Sequence, residues 1–174
     1  MHNTYPLAGA HAVITGGAVG IGRAITQALA HAGAKTTIIY HSSRKEAELT
    51  ARELAASQAE AIIVQADVRD EQQIDGAFTQ ARSCHGDIDI LVNNAGIFHL
   101  GLQEELDSQD WDRVFEISTR SVFLCSREVI ASMKHRGGGA IVNIASIHAL
   151  HPGFGMTAHY DAAKAAVAGY TRSL

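Results

Sequence analysis

The chain has 174 residues, 47% of them hydrophobic and 18% charged, with a formal net charge of −4 at pH 7. That length holds one domain with an ordinary core, and the composition fits a globular α/β protein rather than a disordered or membrane one. The mild acidity gives no reason to expect a nucleic-acid partner, and no apolar run approaches the length that spans a bilayer. Cys84 and Cys125 form no C-x-x-C motif, so both read as free thiols of a reducing compartment. Residues 1–9 are short and polar, without the apolar stretch of an exported precursor. The protein therefore reads as cytoplasmic.

Short β-branched runs then alternate with longer helical stretches. Strands are predicted at 10–15 (AHAVIT), 36–40 (TTIIY), 61–65 (AIIVQ), 88–92 (IDILV) and 140–144 (AIVNI). Helices are predicted at 20–32, 44–57, 70–84 and 110–135, with a last one from about 158 to the end. Asp70 and Asp110 read as N-caps, and Gly33 and Gly137 sit just past helix ends. Nearly continuous apolar strands need cover on both faces, which means a parallel sheet between helical layers. Right-handed crossovers then give an α/β, doubly wound, Rossmann-like fold in a single domain, 1–174.

Between the first strand and its helix lies Thr15-Gly16-Gly17-Ala18-Val19-Gly20-Ile21-Gly22. Glycines let the backbone turn sharply and approach a pyrophosphate, and the helix N-terminus offers free N–H groups and a positive dipole end. The spacing is T-G-x-x-x-G-x-G rather than G-x-G-x-x-G, and the missing Gly-Lys-Ser/Thr excludes a Walker A loop. A purely structural turn is the alternative for this segment taken alone.

Further motifs follow in order: Asp67-Val68 after the third strand, Asn93-Asn94-Ala95-Gly96 after the fourth, and Tyr160-x-x-x-Lys164 with Ser146 fourteen residues before the tyrosine. Together with TGGAVGIG, this set resembles the classical short-chain dehydrogenase/reductase family from about Leu7 to the last residue. The resemblance implies a dinucleotide site built from Gly16, Val19, Gly20, Ile21, Gly22, Asp67, Val68, Asn94, Ala95 and Gly96, with Tyr160 and Lys164 also touching the cofactor. It implies hydride transfer between a nicotinamide and an alcohol or carbonyl compound, with Ser146, Tyr160 and Lys164 as the catalytic set. A non-catalytic nucleotide-binding protein, or an inactive truncated relative, is the competing reading; a sensor would not need the Ser–Tyr–Lys set.

NAD-preferring proteins of such folds carry an acid at the end of the second strand. Here the corresponding Tyr40-His41-Ser42-Ser43-Arg44 has none, and Glu46 is the first acidic residue of the chain. Tyr40, His41, Ser42 and Arg44 therefore point to NADP(H), with NAD(H) as the alternative. Against this, Val19 stands where NADP-using relatives often place a base.

Tyr160 and Lys164 are four apart and share a helix face. A free phenol ionises near pH ~10, too high for a neutral-pH base, and a nearby ammonium favours the phenolate. Tyr160 would then exchange a proton with the substrate oxygen while Ser146 hydrogen-bonds it. Ser118 stands where the family carries an asparagine that supports a water relay behind the lysine, and is included as a site residue on that ground. His148, His151 and His159 flank the Ser–Tyr stretch without a carboxylate or thiolate set, so loop residues at the substrate mouth are expected rather than a metal site.

The family resemblance also implies two further strands, a nicotinamide-contacting loop and a substrate loop after the last helix. Their absence predicts an exposed sheet edge and poor solubility or inactivity of the chain by itself. Pairing of the long helix and the Tyr–Lys helix across two-fold axes is the family's usual route to homodimers and homotetramers. Ala162, Ala163, Ala165, Ala166, Ala168 and Gly169 would allow such close contact.

Overall fold

Strand β1 (His11–Thr15) is buried along its whole length, as an apolar run of this kind requires. It pairs in parallel with β2 (Lys35–Tyr40) on one side and β4 (Ile90–Asn93) on the other. β3 (Ala61–Gln65) lies outside β2, and β5 (Ala140–Asn143) outside β4, giving the all-parallel order β3-β2-β1-β4-β5. The computed structural model describes residues 6–151 and 153–174, so the reading of residues 1–5 as a polar, unexported start lies outside it.

Successive strand residues point to opposite faces. Val13, Ile39 and Leu91 pack with Phe78 of α3 (Glu71–His85) and with Leu124 and Val129 of α5 (Ser121–Arg136). Ala12, Ile14 and Val92 pack instead with Ile25 and Leu29 of α1 (Gly20–His31). Ile38 and Tyr40 meet Ala47 of α2 (Arg44–Ala56). Phe78 is fully buried, and burying a side chain of its kind contributes roughly 1.5–3 kcal/mol. This is the doubly wound architecture expected from the sequence. Among the described residues, no helix is long and apolar enough to cross a membrane.

Three local expectations need correction. The helix predicted at 110–135 is three pieces: α4 (Ser108–Phe115), a π-helical turn (Glu116–Arg120) and α5. Hydroxyl groups attend the widened turn, with Ser121 Oγ donating to Ile117 O at 2.5 Å and Thr119 Oγ1 donating to Ala163 O at 3.0 Å. The helix also starts earlier, because Asp107 rather than Asp110 is its N-cap: the Asp107 carboxylate accepts from Asp110 N at 2.8 Å. Asp70 does cap α3, accepting from Gln72 N and Gln73 N, and Gly137 ends α5 in the left-handed region at φ 76°. β4 begins at Ile90 rather than at 88, since Asp89 is turned to accept from His11 N at 2.9 Å.

The last elements are a 3₁₀ turn (Ile147–Ala149) and α6 (Ala158–Ser173). A polar ladder ties this end of the sheet together. Asn93 Nδ2 donates to Asn143 Oδ1 at 2.8 Å and to Ser126 Oγ at 3.1 Å, and Asn143 Nδ2 donates to Thr171 Oγ1 of α6 at 2.9 Å. β5 is an edge strand, with Val142 nearly half exposed.

Candidate active site

The chain runs outward from β1 to β3 and then returns to β4 on the opposite side of β1. The carboxyl ends of β1 and β4 thus flank the point where strand order reverses, the usual ligand position in open α/β sheets. A cavity of about 560 Å³ opens there, lined by Gly16, Val19, Ile21, Gly22, Tyr40, His41, Ser42, Asp67, Val68, Asn94, Ala95 and Gly96. Segments far apart in sequence are therefore brought together as expected.

The glycine loop is shaped by contacts that tolerate no side chain. Gly16 adopts φ +64°, and a methyl group on Gly22 would overlap Gly16 O and Asn94 Nδ2. Asn94 acts here as a brace, its Nδ2 donating to Thr15 O at 3.0 Å and to Gly16 O at 3.1 Å. Thr15 Oγ1 accepts from the backbone N–H groups of Asn94 and Ala95, both at 3.0 Å. The N-terminus of α1 has neither a side-chain cap nor an acidic residue in its first turn. Its free amides and positive dipole end suit a pyrophosphate, so the cradle fits the group that the motif implies.

At the far end of the cavity lie His41, Ser42, Ser43, Asp67 and Arg69. Arg69 forms a forked ion pair with Asp67, as close as 2.6 Å, and holds that carboxyl below its usual range. His41 Nε2 lies 3.7 Å from the same carboxylate. Arg44 is placed differently from Ser42: its side chain reaches Glu48 Oε1 at 3.1 Å and does not line the cavity. Gly20, at φ +53°, opens α1 just outside the lining residues. Ser43, Arg69 and Arg113 line the cavity without having been singled out from sequence. Arg69 had a local signal, because Asp67 folds back to accept from Arg69 N in an Asx-type turn. Arg113 had none, since its position depends on how α4 packs.

The proton-transfer candidates Ser118, Ser146, Tyr160 and Lys164 are not themselves among the residues lining the cavity. Lys164 is only 5% exposed, and its Nζ donates to Ile144 O at 2.7 Å. Burial alone pushes its pKa below the ordinary amine value of 10.5. Lys164 Nζ lies 5.8 Å from the Tyr160 ring centroid. A side chain at Gly96 would come 3.5 Å from Lys164 Nζ and 3.6 Å from Ser118 Oγ, so both lie close behind Gly96, a residue that lines the cavity. Ser118 is buried in the π turn, and its hydroxyl has no partner among the described residues. π turns of this kind are frequent at functional sites. Ser146 caps the 3₁₀ turn, its Oγ accepting from His148 N at 3.2 Å, which leaves the hydroxyl proton free to donate.

The three flanking histidines go separate ways. His148 Nδ1 pairs with Asp161 Oδ1 at 2.8 Å, and its ring stands edge-on to Tyr160 with centroids 5.9 Å apart. Burial raises the Asp161 pKa, but bonds from Gly153 N, His148 and Thr157 outweigh it and leave the carboxyl below its usual range. His151 is exposed. His159 is not a mouth residue at all: it is fully buried on α6 and meets His99. The contacts of Asp161 and His99 escaped the sequence reading because their partners come from other segments.

A family model described as short chain dehydrogenase matches residues 10–174. A hydroxynaphthalene reductase-like protein of Metarhizium anisopliae is 36% identical over 167 residues, covering 96% of this chain and 62% of its own length. A 3-oxoacyl-(acyl-carrier-protein) reductase of Synechocystis is 36% identical over 165 residues, covering 94% of this chain and 66% of its own. Among solved structures, a short-chain dehydrogenase/reductase from Serratia marcescens superposes with a TM-score of 0.90 at 38% identity, over 97% of this chain and 68% of the other. A blue fluorescent protein from a metagenomic library, in complex with NADPH, gives 0.92 at 39% identity over the same shares. The chain thus spans about two thirds of the length of these relatives. With its sheet order, glycine loop and Tyr–Lys helix agreeing with a match over nearly its whole length, the chain belongs to the short-chain dehydrogenase family.

Proposed function

We propose that this chain carries the cofactor site and proton-transfer residues of an oxidoreductase that interconverts an alcohol and a carbonyl compound with NADP(H). The observation that carries the reading is Lys164. Among the described residues it is a buried amine with one backbone hydrogen bond and no carboxylate partner, placed beside both Tyr160 and Gly96 of the cavity lining. Burying such a group without a carboxylate partner is costly, and strongly desolvated ionisable groups in clefts mark functional sites.

A bound nicotinamide supplies or accepts the hydride. The uncapped α1 amides bind the negatively charged linkage, and the absence of a side chain at Gly96 leaves room beside the lysine. Lys164, anchored by Ile144 O, presents its charge toward Tyr160. Tyr160 gives a proton to the carbonyl oxygen, or takes one from the alcohol, while the Ser146 hydroxyl donates to the same oxygen. Ser118, buried near the lysine, occupies the place of the family's relay asparagine.

For NADP(H) over NAD(H), the support is a second strand that ends at Tyr40 without an acid, followed by His41, Ser42 and Ser43 at the cavity. The one carboxylate among the described lining residues, Asp67, is engaged by Arg69. The metagenomic relative's complex with NADPH agrees with this preference. Free thiols at Cys84 and Cys125 suit a cytoplasmic location. The small residues along α6 suit a homodimer or homotetramer.

Titration of the protein with each cofactor, followed by cofactor fluorescence, should show tighter binding of NADPH than of NADH. Equal or weaker NADPH binding overturns the preference. In a full-length enzyme of the relatives' length, Tyr160→Phe should bind NADPH as before and lose carbonyl reduction, and retained reduction would refute the catalytic assignment.

A further inference from the structure

The segment after β4 is fastened to the start of α6 by two neighbouring contacts. Phe98 packs edge-on against Tyr160 with ring centroids 4.9 Å apart, and His99 Nδ1 lies 3.1 Å from His159 Nε2. His159 is fully buried, whereas the His99 side chain is 42% exposed and could be changed without opening the core. Asp110 extends the line, its Oδ1 3.9 Å from His99 Nε2.

Two ring nitrogens at this distance hold one proton between them. Asp110 favours the His99 tautomer with hydrogen on Nε2, so His99 Nδ1 accepts and His159 Nε2 donates. His159 Nδ1 is then a bare acceptor, in keeping with its lack of a partner among the described residues. An orphan acceptor is tolerated better than an orphan N–H. Adding a proton to His99 reverses the shared bond and leaves a buried, unpaired N–H on His159. Adding a second sets N–H against N–H and parts the rings.

We propose that His99 and His159 are positioning residues for Tyr160, a clasp that holds Phe98 against the tyrosine ring at neutral pH and opens in acid. The proposal rests on the assignment of Tyr160 as the proton-transfer residue. The ionisable groups facing His159 are His99 from the segment after β4, Asp110 from α4 and Asp161 from α6, the last itself bound to His148. Burial and then His99 lower the His159 pKa, and the two carboxylates oppose this without reversing it. Protonation of His159 therefore falls below the ordinary imidazole value of 6.5.

Nuclear magnetic resonance of the 174-residue protein with labelled histidines and aromatic rings tests this without a turnover assay. At about pH 7.5 the Phe98–Tyr160 inter-ring Overhauser contact should be present, and at about pH 5 it should be lost as the clasp opens. His99→Ala should lose the contact at both pH values. His99→Asn, whose side-chain oxygen can accept in place of Nδ1, should keep it at both. Persistence of the contact in His99→Ala overturns the clasp, as does its survival in the unmodified protein once the His159 resonances report a protonated ring. NADPH binding measured on the same samples reports on the proposed function separately, so the two failures are distinguishable.

Discussion

Gly22 is the residue whose identity the site depends on most directly. Its Cα faces Gly16 O and Asn94 Nδ2, and neither can retreat, because one is backbone and the other is held by two carbonyls. Gly22→Ala should cost about 1–3 kcal/mol of stability through overpacking and should also weaken NADPH binding. Urea denaturation and cofactor titration check the two effects, and an unchanged unfolding midpoint would show that the loop can yield. The sequence motif named Gly22 for its approach to a phosphate but not for this contact, since Asn94 meets the loop only after the sheet has aligned β1 with β4. The proposed proton-transfer residues were likewise visible as residue types at a spacing. What spacing could not give was the environment, such as the carbonyl that anchors Lys164 or the unpartnered hydroxyl of Ser118.

Strands and most helices were readable because burial on both sheet faces leaves a continuous apolar signature, and Asp70 and Gly137 mark helix ends by local chemistry. The long helix was not, because the π turn has no local signature in Glu116-Ile117-Ser118-Thr119-Arg120 and is accompanied by a tertiary contact from Thr119 to α6. Its start was misplaced for a simpler reason: Asp107 and Asp110 are both plausible caps, and the difference shows only in which carboxylate accepts a backbone N–H. Asp107→Ala should therefore cost about 1 kcal/mol, and Asp110→Ala distinctly less. Equal losses in thermal or chemical unfolding would return the cap to Asp110.

Across the whole molecule, acid should act in two stages. His11, His85 and His159 each have pKa values lowered from 6.5, with burial the leading cause. The unfolded chain binds their protons more readily, so stability is at its plateau above about 6.5 and falls as the pH drops below that value. Asp67, Asp89 and Asp161 have values lowered from 3.8, so their contribution is present above that value and is lost as the pH falls through their lower folded values. Thermal midpoints recorded against pH should begin to decline in the histidine window. A flat profile down to about pH 4 would show that the buried imidazoles do not govern acid stability.

The π turn has a consequence for how the long helix is used. An extra residue in one turn advances everything beyond it by about 100° around the axis. The two halves are therefore out of phase, and one continuous rod presents two differently directed contact stripes. α4 and the turn serve α6 and the cavity wall, where Ile117 and Arg113 lie, while α5 serves the sheet and α3. A regular helix of the same sequence would keep a single bearing and could satisfy one of these surfaces only at the expense of the other. The phase slip lets a core-packing helix contribute a wall to the ligand cavity.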